Sequence, residues 1–178
     1  MAAMNLGRPQ DQAPKPPARL ILTTPEHLIA FGFGAGLSPQ APGTVGTLWG
    51  VPLWLALCWL SPAAYGIAVA LLFAFGVWVC GRSASLLGIP DSPGIVFDEI
   101  VGFLVTALPL LPALGLVTDW HTPWLVLAFV VFRGFDIFKP WPIRQLDAKV
   151  HGGFGIMLDD LVAGLYGAAV LTLLAVLI

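Results

Sequence analysis

Nine ionisable residues lie close together in one stretch of the chain, FRGFDIFKPWPIRQLDAKVHGGFGIMLDD at 132–160. Aromatic residues such as Phe138 and Trp141 alternate with these charges. A solvated loop seldom mixes the two so closely, whereas aromatic rings beside charged groups are typical of a membrane surface. The stretch therefore predicts a polar site held at the surface of a bilayer.

The acids of this stretch have counterparts elsewhere. Asp98 and Glu99 stand directly before one long apolar segment, Asp159 and Asp160 before another, and Asp136 follows a third. A helix N-terminus favours an acid through its dipole, but this explains adjacent pairs less well than single acids. Carboxylates at the end of a membrane helix bundle are costly unless they are paired or bind a cation. Oxygen ligands without a Cys/His cluster fit Mg²⁺ rather than zinc, and structural ion pairing is the alternative.

Groups that suit a phosphate lie near these acids in sequence. Lys139 and Arg144 follow Asp136 and would bind an anionic phosphate. The glycine-rich stretch 32–50 could present backbone N–H groups and threonines to a phosphate, although small residues also serve close helix packing in membranes. His151 could titrate near neutral pH and contact the substrate. The predicted phosphate-contacting residues are Lys139, Arg144, Thr44, Thr47 and His151.

The composition indicates an integral membrane protein. Of 178 residues, 58% are hydrophobic and 10% charged, and the mean hydropathy is +0.89. A soluble domain has about 25% charged residues, so the charges here could hardly cover a soluble surface. The net charge of −2 and the absence of a basic stripe argue against nucleic acid as a partner. Cys58 and Cys80 lie inside apolar runs and are predicted to be buried.

The chain divides into a proline-rich arm at 1–24, predicted to be disordered, and one membrane domain at 25–178. Thr24, Pro25 and Glu26 form a helix-start pattern. Ala163 and Gly167 provide a small-residue face for helix packing. The apolar segments are 48–60, 63–80, 100–118 with a kink expected at its prolines, 123–132 and 161–178. The predicted fold is an all-α, multi-pass bundle of four to five apolar helices with polar loops on one face, and the sequence does not specify the oligomeric state.

The distribution of charge predicts the orientation of this bundle. If all five segments cross, every one of the eight Lys and Arg residues falls on the side of the N-terminus, with nine of the ten acids. By the positive-inside rule that side is cytoplasmic. The glycine stretch and both acidic pairs then share one membrane face.

Three motifs together resemble the phosphatidylglycerophosphatase A family of bacterial membrane phosphatases. They are GFGAGLSPQAPGTVG at 32–46, GIVFDEIVGF at 94–103 and FRGFDIFKPWPIRQLDAKVHGGFGIMLDDLVAG at 132–164. The motifs occur in the family's order, and the resemblance runs from about Thr24 to the C-terminus. The family often has tryptophan at the position of Phe97 and serine at that of Ala35, and neither departure removes an ionisable group.

The resemblance implies Mg²⁺-dependent removal of the terminal phosphate from phosphatidylglycerophosphate at the bacterial inner membrane, giving phosphatidylglycerol for phospholipid biosynthesis. It also implies that the acids are both catalytic and metal-binding: Asp98, Glu99, Asp136, Asp159 and Asp160. Lys139 and Arg144 would contact the phosphate. Either a water or an aspartate could attack phosphorus, and the lack of a DxDx[TV] pattern favours water.

Two other classes of protein compete with this interpretation. A CDP-alcohol phosphatidyltransferase also uses carboxylates and Mg²⁺ at a membrane face, but its spaced aspartates within one helix are absent. A small transporter or assembly protein would carry structural ion pairs. Transporters place ionisable residues near the bilayer midplane, whereas the charges here gather at one surface.

Overall fold

The computed structural model describes residues 16–90, 92–117 and 122–177, which are helical with no β-strand among them. The α-helices are α1 Ala18–Thr23, α2 Pro25–Ala30, α3 Pro42–Leu57, α4 Pro62–Leu87, α5 Phe97–Thr106, α6 Thr122–Phe138, α7 Ile143–Lys149 and α8 Gly152–Leu177. Short 3₁₀ helices span Gly32–Leu37, Leu108–Leu110 and Pro112–Leu114. The predicted all-α class is confirmed.

Helix α5 is the centre of the fold. It packs against α3, α4, α6 and α8, and eight of its ten residues are buried, including Phe103 and Leu104 with no exposed surface. The two residues of α5 that are only partly buried are Asp98 and Glu99 in its first turn. A helix with apolar residues on every side must be surrounded by other helices, so α5 fixes where its own two acids stand.

The C-terminal end of α5 is closed by side chains from two neighbouring helices. The last carbonyls of a helix lack intrahelical partners. Tyr65 of α4 donates its hydroxyl to the Leu104 carbonyl at 2.7 Å, and the Trp54 indole of α3 donates to the Ala107 carbonyl at 3.1 Å. These bonds satisfy two of the carbonyls at the buried end of α5.

Glycines let α5 and α8 cross very closely. A Cβ at Gly164 would lie 2.5 Å from the Gly102 carbonyl oxygen, and one at Gly102 would lie 2.8 Å from the Asp160 carbonyl oxygen. Gly167 packs against Thr106, which confirms the small-residue face predicted for this helix. The close crossing holds Asp160 beside the first turn of α5.

The glycine-rich stretch supports α5 from its other side. A Cβ at Gly36 would lie 1.9 Å from the Gly94 carbonyl oxygen, and one at Gly46 would lie 2.5 Å from Cβ of Val96. The Val96 N–H donates to the Ala30 carbonyl at 2.9 Å. The stretch therefore positions the start of α5 by close packing.

Several predicted boundaries are wrong, and the errors share a cause. The acids predicted to precede the last apolar segment lie within α8, which begins at Gly152. Gly153 and Gly155 there serve close contacts, since Cβ atoms would lie 1.9 Å from the Val77 carbonyl oxygen and 2.3 Å from that of Val150. Likewise α3 begins at Pro42, so Thr44 and Thr47 are helical. In each case glycines that suggested a polar loop provide room for close packing, against backbone at the start of α8 and mainly against side chains at the start of α3.

Prolines end the helix in the third apolar segment, where only a kink was predicted. Helix α5 ends at Thr106, and two 3₁₀ turns follow, because Pro109 lacks an N–H and its ring clashes with the preceding helical turn. The helix start at Thr24–Glu26 is confirmed, since Pro25 opens α2. The helical chain begins at Ala18, before the predicted domain boundary at residue 24. Residues 1–15 of the arm and His121 lie outside the described residues.

Among the residues that the structure describes, two helices are long and apolar enough to cross a membrane. Helices α4 and α8 each have 26 residues, with mean hydropathies of 2.2 and 2.0 in their most apolar windows. At 1.5 Å per residue each is about 39 Å long, more than the roughly 30 Å hydrocarbon core of a bilayer. Only 22% of the α4 window and 28% of the α8 window is buried inside the protein.

The close crossing of α5 and α8 predicts the effect of adding one methyl group. Gly164→Ala should destabilise the fold by about 1–3 kcal/mol, because its Cβ would overlap the backbone of α5. Gly66→Ala in α4 is the matched control, since no atom lies within 4 Å of a Cβ there, and alanine favours a helix. Thermal unfolding in detergent measures both changes, and an equal stability of the two variants would contradict the packing described here.

Candidate active site

The acidic residues of four sequence regions converge on one cavity. Its volume is about 490 Å³, and it is lined by the starts of α5 and α8, the end of α6, part of α7 and the connection between α4 and α5. One part of its wall is apolar, with Ile95, Ile137 and Ile156 among its residues. The ionisable residues that line it are Asp98, Glu99, Arg133, Asp136, Lys139, Asp147, His151, Asp159 and Asp160.

Three of these acids form a compact group that could hold a metal ion. Asp98, Glu99 and Asp160 each offer a carboxylate oxygen, and these oxygens lie within 4.8 Å of one another. Each of the three also has one buried oxygen with no hydrogen-bond partner among the described residues. Asp160 is only 3% exposed. Buried carboxylate oxygens without donors are costly, and the ligands are those that a hard divalent cation prefers.

The pKa values of the two acids on α5 reflect this crowding. Burial raises the pKa of Asp98 well above its usual value, and the carboxylates of Glu99 and Asp160 raise it further. Burial and the Asp136 charge raise the pKa of Glu99 to about 7, although a hydrogen bond to Asp98 and the Arg133 charge oppose this. A bound divalent cation would reverse the effect, since it favours the ionised forms.

The remaining acids of the cavity are paired with cations. Arg133 on α6 donates from Nη1 to Asp136, one turn along the same helix, and the same nitrogen lies 3.5 Å from Oε1 of Glu99. Lys139 donates to Asp159 on α8, and its Nζ lies 3.2 Å from Oδ1 of Asp147 on α7. Asp98 and Asp160 have no such ion pair among the described residues, so the site divides into a cation-paired part and the metal-competent group.

The backbone at Lys139 directs its side chain into the site. Helix α6 ends at Phe138, and Lys139 has a left-handed conformation with φ of 42°. This conformation is unfavourable for a residue with a side chain and is often found at functional sites. Burial alone would lower the pKa of the Lys139 ammonium, but the charges of Asp159 and Asp147 outweigh it and the pKa is raised. The two carboxylates therefore favour the charged form of the ammonium.

The glycine-rich stretch contacts the site through a single residue. A Cβ at Gly43, in the first turn of α3, would lie 2.0 Å from Oε1 of Glu99 and 3.1 Å from Nη1 of Arg133. Without a side chain, Gly43 leaves the space that this ion pair occupies. No residue of the stretch lines the cavity itself.

The structure brings seven of the ten predicted site residues to the cavity: Asp98, Glu99, Asp136, Lys139, His151, Asp159 and Asp160. Three lie outside its lining. Arg144 is exposed on α7, Thr44 is half-buried on α3, and buried Thr47 donates its hydroxyl to the Gly43 carbonyl at 2.8 Å. Phosphate binding by these three stays a prediction. The His151 ring is exposed and hydrogen-bonded to the Lys149 carbonyl at 3.1 Å.

Two ionisable residues of the cavity were missing from the predicted site. Arg133 has a sequence signal, because its spacing of three from Asp136 puts both on one face of a helix. Asp147 has none, since its approach to Lys139 depends on how α7 folds back after the turn at 139–142. Both cysteines, by contrast, are buried and free as predicted.

Comparison with known proteins assigns this site to a class. The sequence profile of the family described as Phosphatidylglycerophosphatase A matches residues 28–175. A protein of that name from Escherichia coli is 44% identical over 154 residues, which are 86% of each chain. Another from Haemophilus influenzae is 41% identical over 87% of this chain and 91% of its own. A Bacteroides thetaiotaomicron protein named Putative phosphatidylinositol-3-phosphatase is 39% identical over 78% of this chain and 86% of its own.

The protein is thus a phosphatase, with its ionisable residues gathered in one cavity at the helix ends. It belongs to the phosphatidylglycerophosphatase A family. No solved structure shows a significant match to the chain.

The contact between Gly43 and Glu99 predicts a loss of activity from a small substitution. Gly43→Ala should lower the rate of phosphate release by about 10–100-fold, because the new Cβ displaces a carboxylate of the site by an ångström or more. Gly134→Ala, beside Arg133 but with open space at its Cβ, is the control and should keep the wild-type rate. Wild-type activity in Gly43→Ala would show that the position of Glu99 is unimportant.

Proposed function

We propose that this phosphatase hydrolyses phosphatidylglycerophosphate to phosphatidylglycerol and inorganic phosphate, as a step of phospholipid biosynthesis. The observation that carries the proposal is the pairing of two kinds of group in one cavity. Three crowded carboxylates suit a divalent cation, and Lys139 and Arg133 line the same space. The names of the Escherichia coli and Haemophilus influenzae relatives supply the substrate.

The protein would act as a multi-pass protein of the bacterial inner membrane, with the cavity facing the cytoplasm. The directions of successive helices support this arrangement, since α3, α5 and α8 start near the cavity, α6 ends there, and the connection after α4 lines it from Pro90. The outward faces of α4 and α8 are apolar, as at Leu71 and Val176. All Lys and Arg residues fall on the cavity side if five segments cross. The acyl chains would then remain in the bilayer while the headgroup enters the cavity.

The residues present fit Mg²⁺, which is the metal we propose. Asp98, Glu99 and Asp160 would hold it, because their unpartnered buried oxygens are hard ligands close together. When bound, the ion would polarise the phosphoryl oxygens and neutralise negative charge as the ester bond breaks. Structural ion pairing, the alternative predicted from sequence, describes Asp136 and Asp159 but leaves Asp98 and Asp160 unexplained.

The other ionisable residues would bind the phosphoryl group and move the proton. Lys139 and Arg133 are cationic groups lining the cavity, so they would stabilise the charge of the phosphoryl oxygens. Asp136 or Asp159 would take a proton from the attacking water. The water oxygen bonds to phosphorus and the bond from phosphorus to the glycerol oxygen breaks, and the glycerol oxygen takes up the proton held by the acid, so that it leaves as a hydroxyl. Direct attack by an aspartate is the alternative, and it would leave an aspartyl-phosphate that acid quenching can trap.

A second candidate substrate is phosphatidylinositol 3-phosphate. It is favoured by the name of the Bacteroides thetaiotaomicron relative. Both lipids present a phosphomonoester on a polyol headgroup, so the same group of acids and cations would serve either. The identity of the polyol is then decided by the rest of the cavity wall.

Phosphate release from the two lipids tests the proposal. Purified protein in detergent should release phosphate from phosphatidylglycerophosphate with Mg²⁺ and lose that activity in chelator. The same assay is then repeated with phosphatidylinositol 3-phosphate. Faster turnover of the inositol lipid would replace the proposed substrate. Equal release in chelator would contradict the metal, and no release from either lipid would contradict the proposed function.

The division of the acids into metal-binding and cation-paired residues predicts that substitutions in the two groups have different effects. Asp98→Asn and Asp160→Asn should raise the Mg²⁺ concentration needed for half-maximal activity by about 10-fold or more, the scale expected for weakening a metal site, and activity at low Mg²⁺ should be lost. Asp136→Asn and Asp159→Asn should lower the maximal rate by about 100-fold or more, the contribution of general base catalysis, with a much smaller change in Mg²⁺ requirement. An identical Mg²⁺ response in all four variants would contradict the assignment of separate roles.

A further inference from the structure

Arg133 connects parts of the site that come from three helices. It lies on α6, bonds to Asp136 of the same helix and contacts Glu99 of α5, while Gly43 of α3 leaves space for the contact. Its side chain is 14% exposed. A guanidinium that is nearly enclosed and shared between two carboxylates is held in one orientation.

The two oxygens of Glu99 face different surroundings. Oε1 lies 3.5 Å from Nη1 of Arg133, whereas Oε2 is buried without a hydrogen-bond partner among the described residues. Glu99 is also one of the three acids whose ligand atoms lie within 4.8 Å of one another. A carboxylate fixed through one oxygen presents its other oxygen in a defined direction, as the groups behind metal ligands commonly ensure.

We propose that Arg133 is a positioning residue for the cation site, acting through Glu99. Resting on the proposed function, this inference adds a role that is distinct from the binding of phosphate. Arg133 fixes the Oε1 side of Glu99 so that the other oxygen points towards Asp98 and Asp160. The same nitrogen also pairs with Asp136, so that acid is engaged in an ion pair beside the three metal-binding ones.

Lys139 differs from Arg133 in this respect. Its ammonium contacts Asp159 and Asp147, neither of which belongs to the group of three. The two cations of the cavity therefore have different expected effects on metal affinity. Loss of Lys139 should mainly affect phosphate, whereas loss of Arg133 should affect the cation even without substrate.

Binding of Mn²⁺ to the full chain in detergent, without any lipid substrate, tests the inference. Free Mn²⁺ measured by electron paramagnetic resonance gives the affinity. Arg133→Gln should weaken binding by about 10–100-fold, the usual effect of removing a group that orients a metal ligand. Arg82→Gln, the same substitution at an exposed arginine outside the cavity, should bind as wild type does.

A double-mutant cycle with Glu99→Gln separates positioning from a general effect of charge. If Arg133 acts through Glu99, Arg133→Gln should cause little further loss of Mn²⁺ affinity once Glu99→Gln is present. Fully additive losses would overturn the inference, as would wild-type affinity in Arg133→Gln.

If Arg133→Gln does not fold, a second variant tests the inference. Arg133→Lys keeps the positive charge but replaces the guanidinium, whose Nη1 contacts both carboxylates, with an ammonium on a shorter side chain, and it should lose part of the affinity. Wild-type affinity in this variant would overturn the inference. Phosphate release by the wild-type protein, measured separately, shows whether the proposed function stands when the inference fails.

Discussion

The close crossing of α5 and α8 is the constraint on which the site depends. Gly102 and Gly164 bring the two backbones together, and this places Asp160 of α8 beside Asp98 and Glu99 of α5. Three carboxylates held together with buried, unpartnered oxygens repel one another. The fold therefore contains a local electrostatic cost, of the kind that native proteins retain at functional sites.

The surrounding elements limit that cost in two ways. Ion pairs at Arg133 and Lys139 offset the charges of the outer acids Asp136 and Asp159, although the Asp136 charge still raises the pKa of Glu99. The glycine-rich stretch packs the start of α5 without adding side chains to the site. What remains uncompensated is a small group of hard oxygen ligands, next to two cations that suit a phosphate. This arrangement supports the proposal that the phosphatase uses a divalent cation.

Much of the site could be predicted from the sequence, because acids and cations are so rare in this chain that their clustering is informative. Asp98, Asp136 and Asp160 stand next to apolar segments. The order in which those segments cross was enough to predict that the three acids lie on one face of the bundle. What could not be predicted is how the acids divide between cation pairing and metal binding. That depends on side-chain contacts across helices, such as Lys139 with Asp147. Glycine spacing was also ambiguous, because a helix crossing and a phosphate loop both require residues without side chains.

The stability of the purified protein with and without Mg²⁺ tests the central claim most directly, since it needs no substrate. If the inner acids form an unrelieved anionic site, saturating Mg²⁺ at about 100 times its dissociation constant should stabilise the wild type by about 2.7 kcal/mol. For a chain of this size that is a rise in Tm of roughly 5–10 °C. Asp160→Asn should melt higher than wild type in chelator, because it removes one repelling charge, and should not respond to Mg²⁺. A wild-type Tm that does not respond to Mg²⁺, or an Asp160→Asn variant that responds as wild type does, would contradict the account.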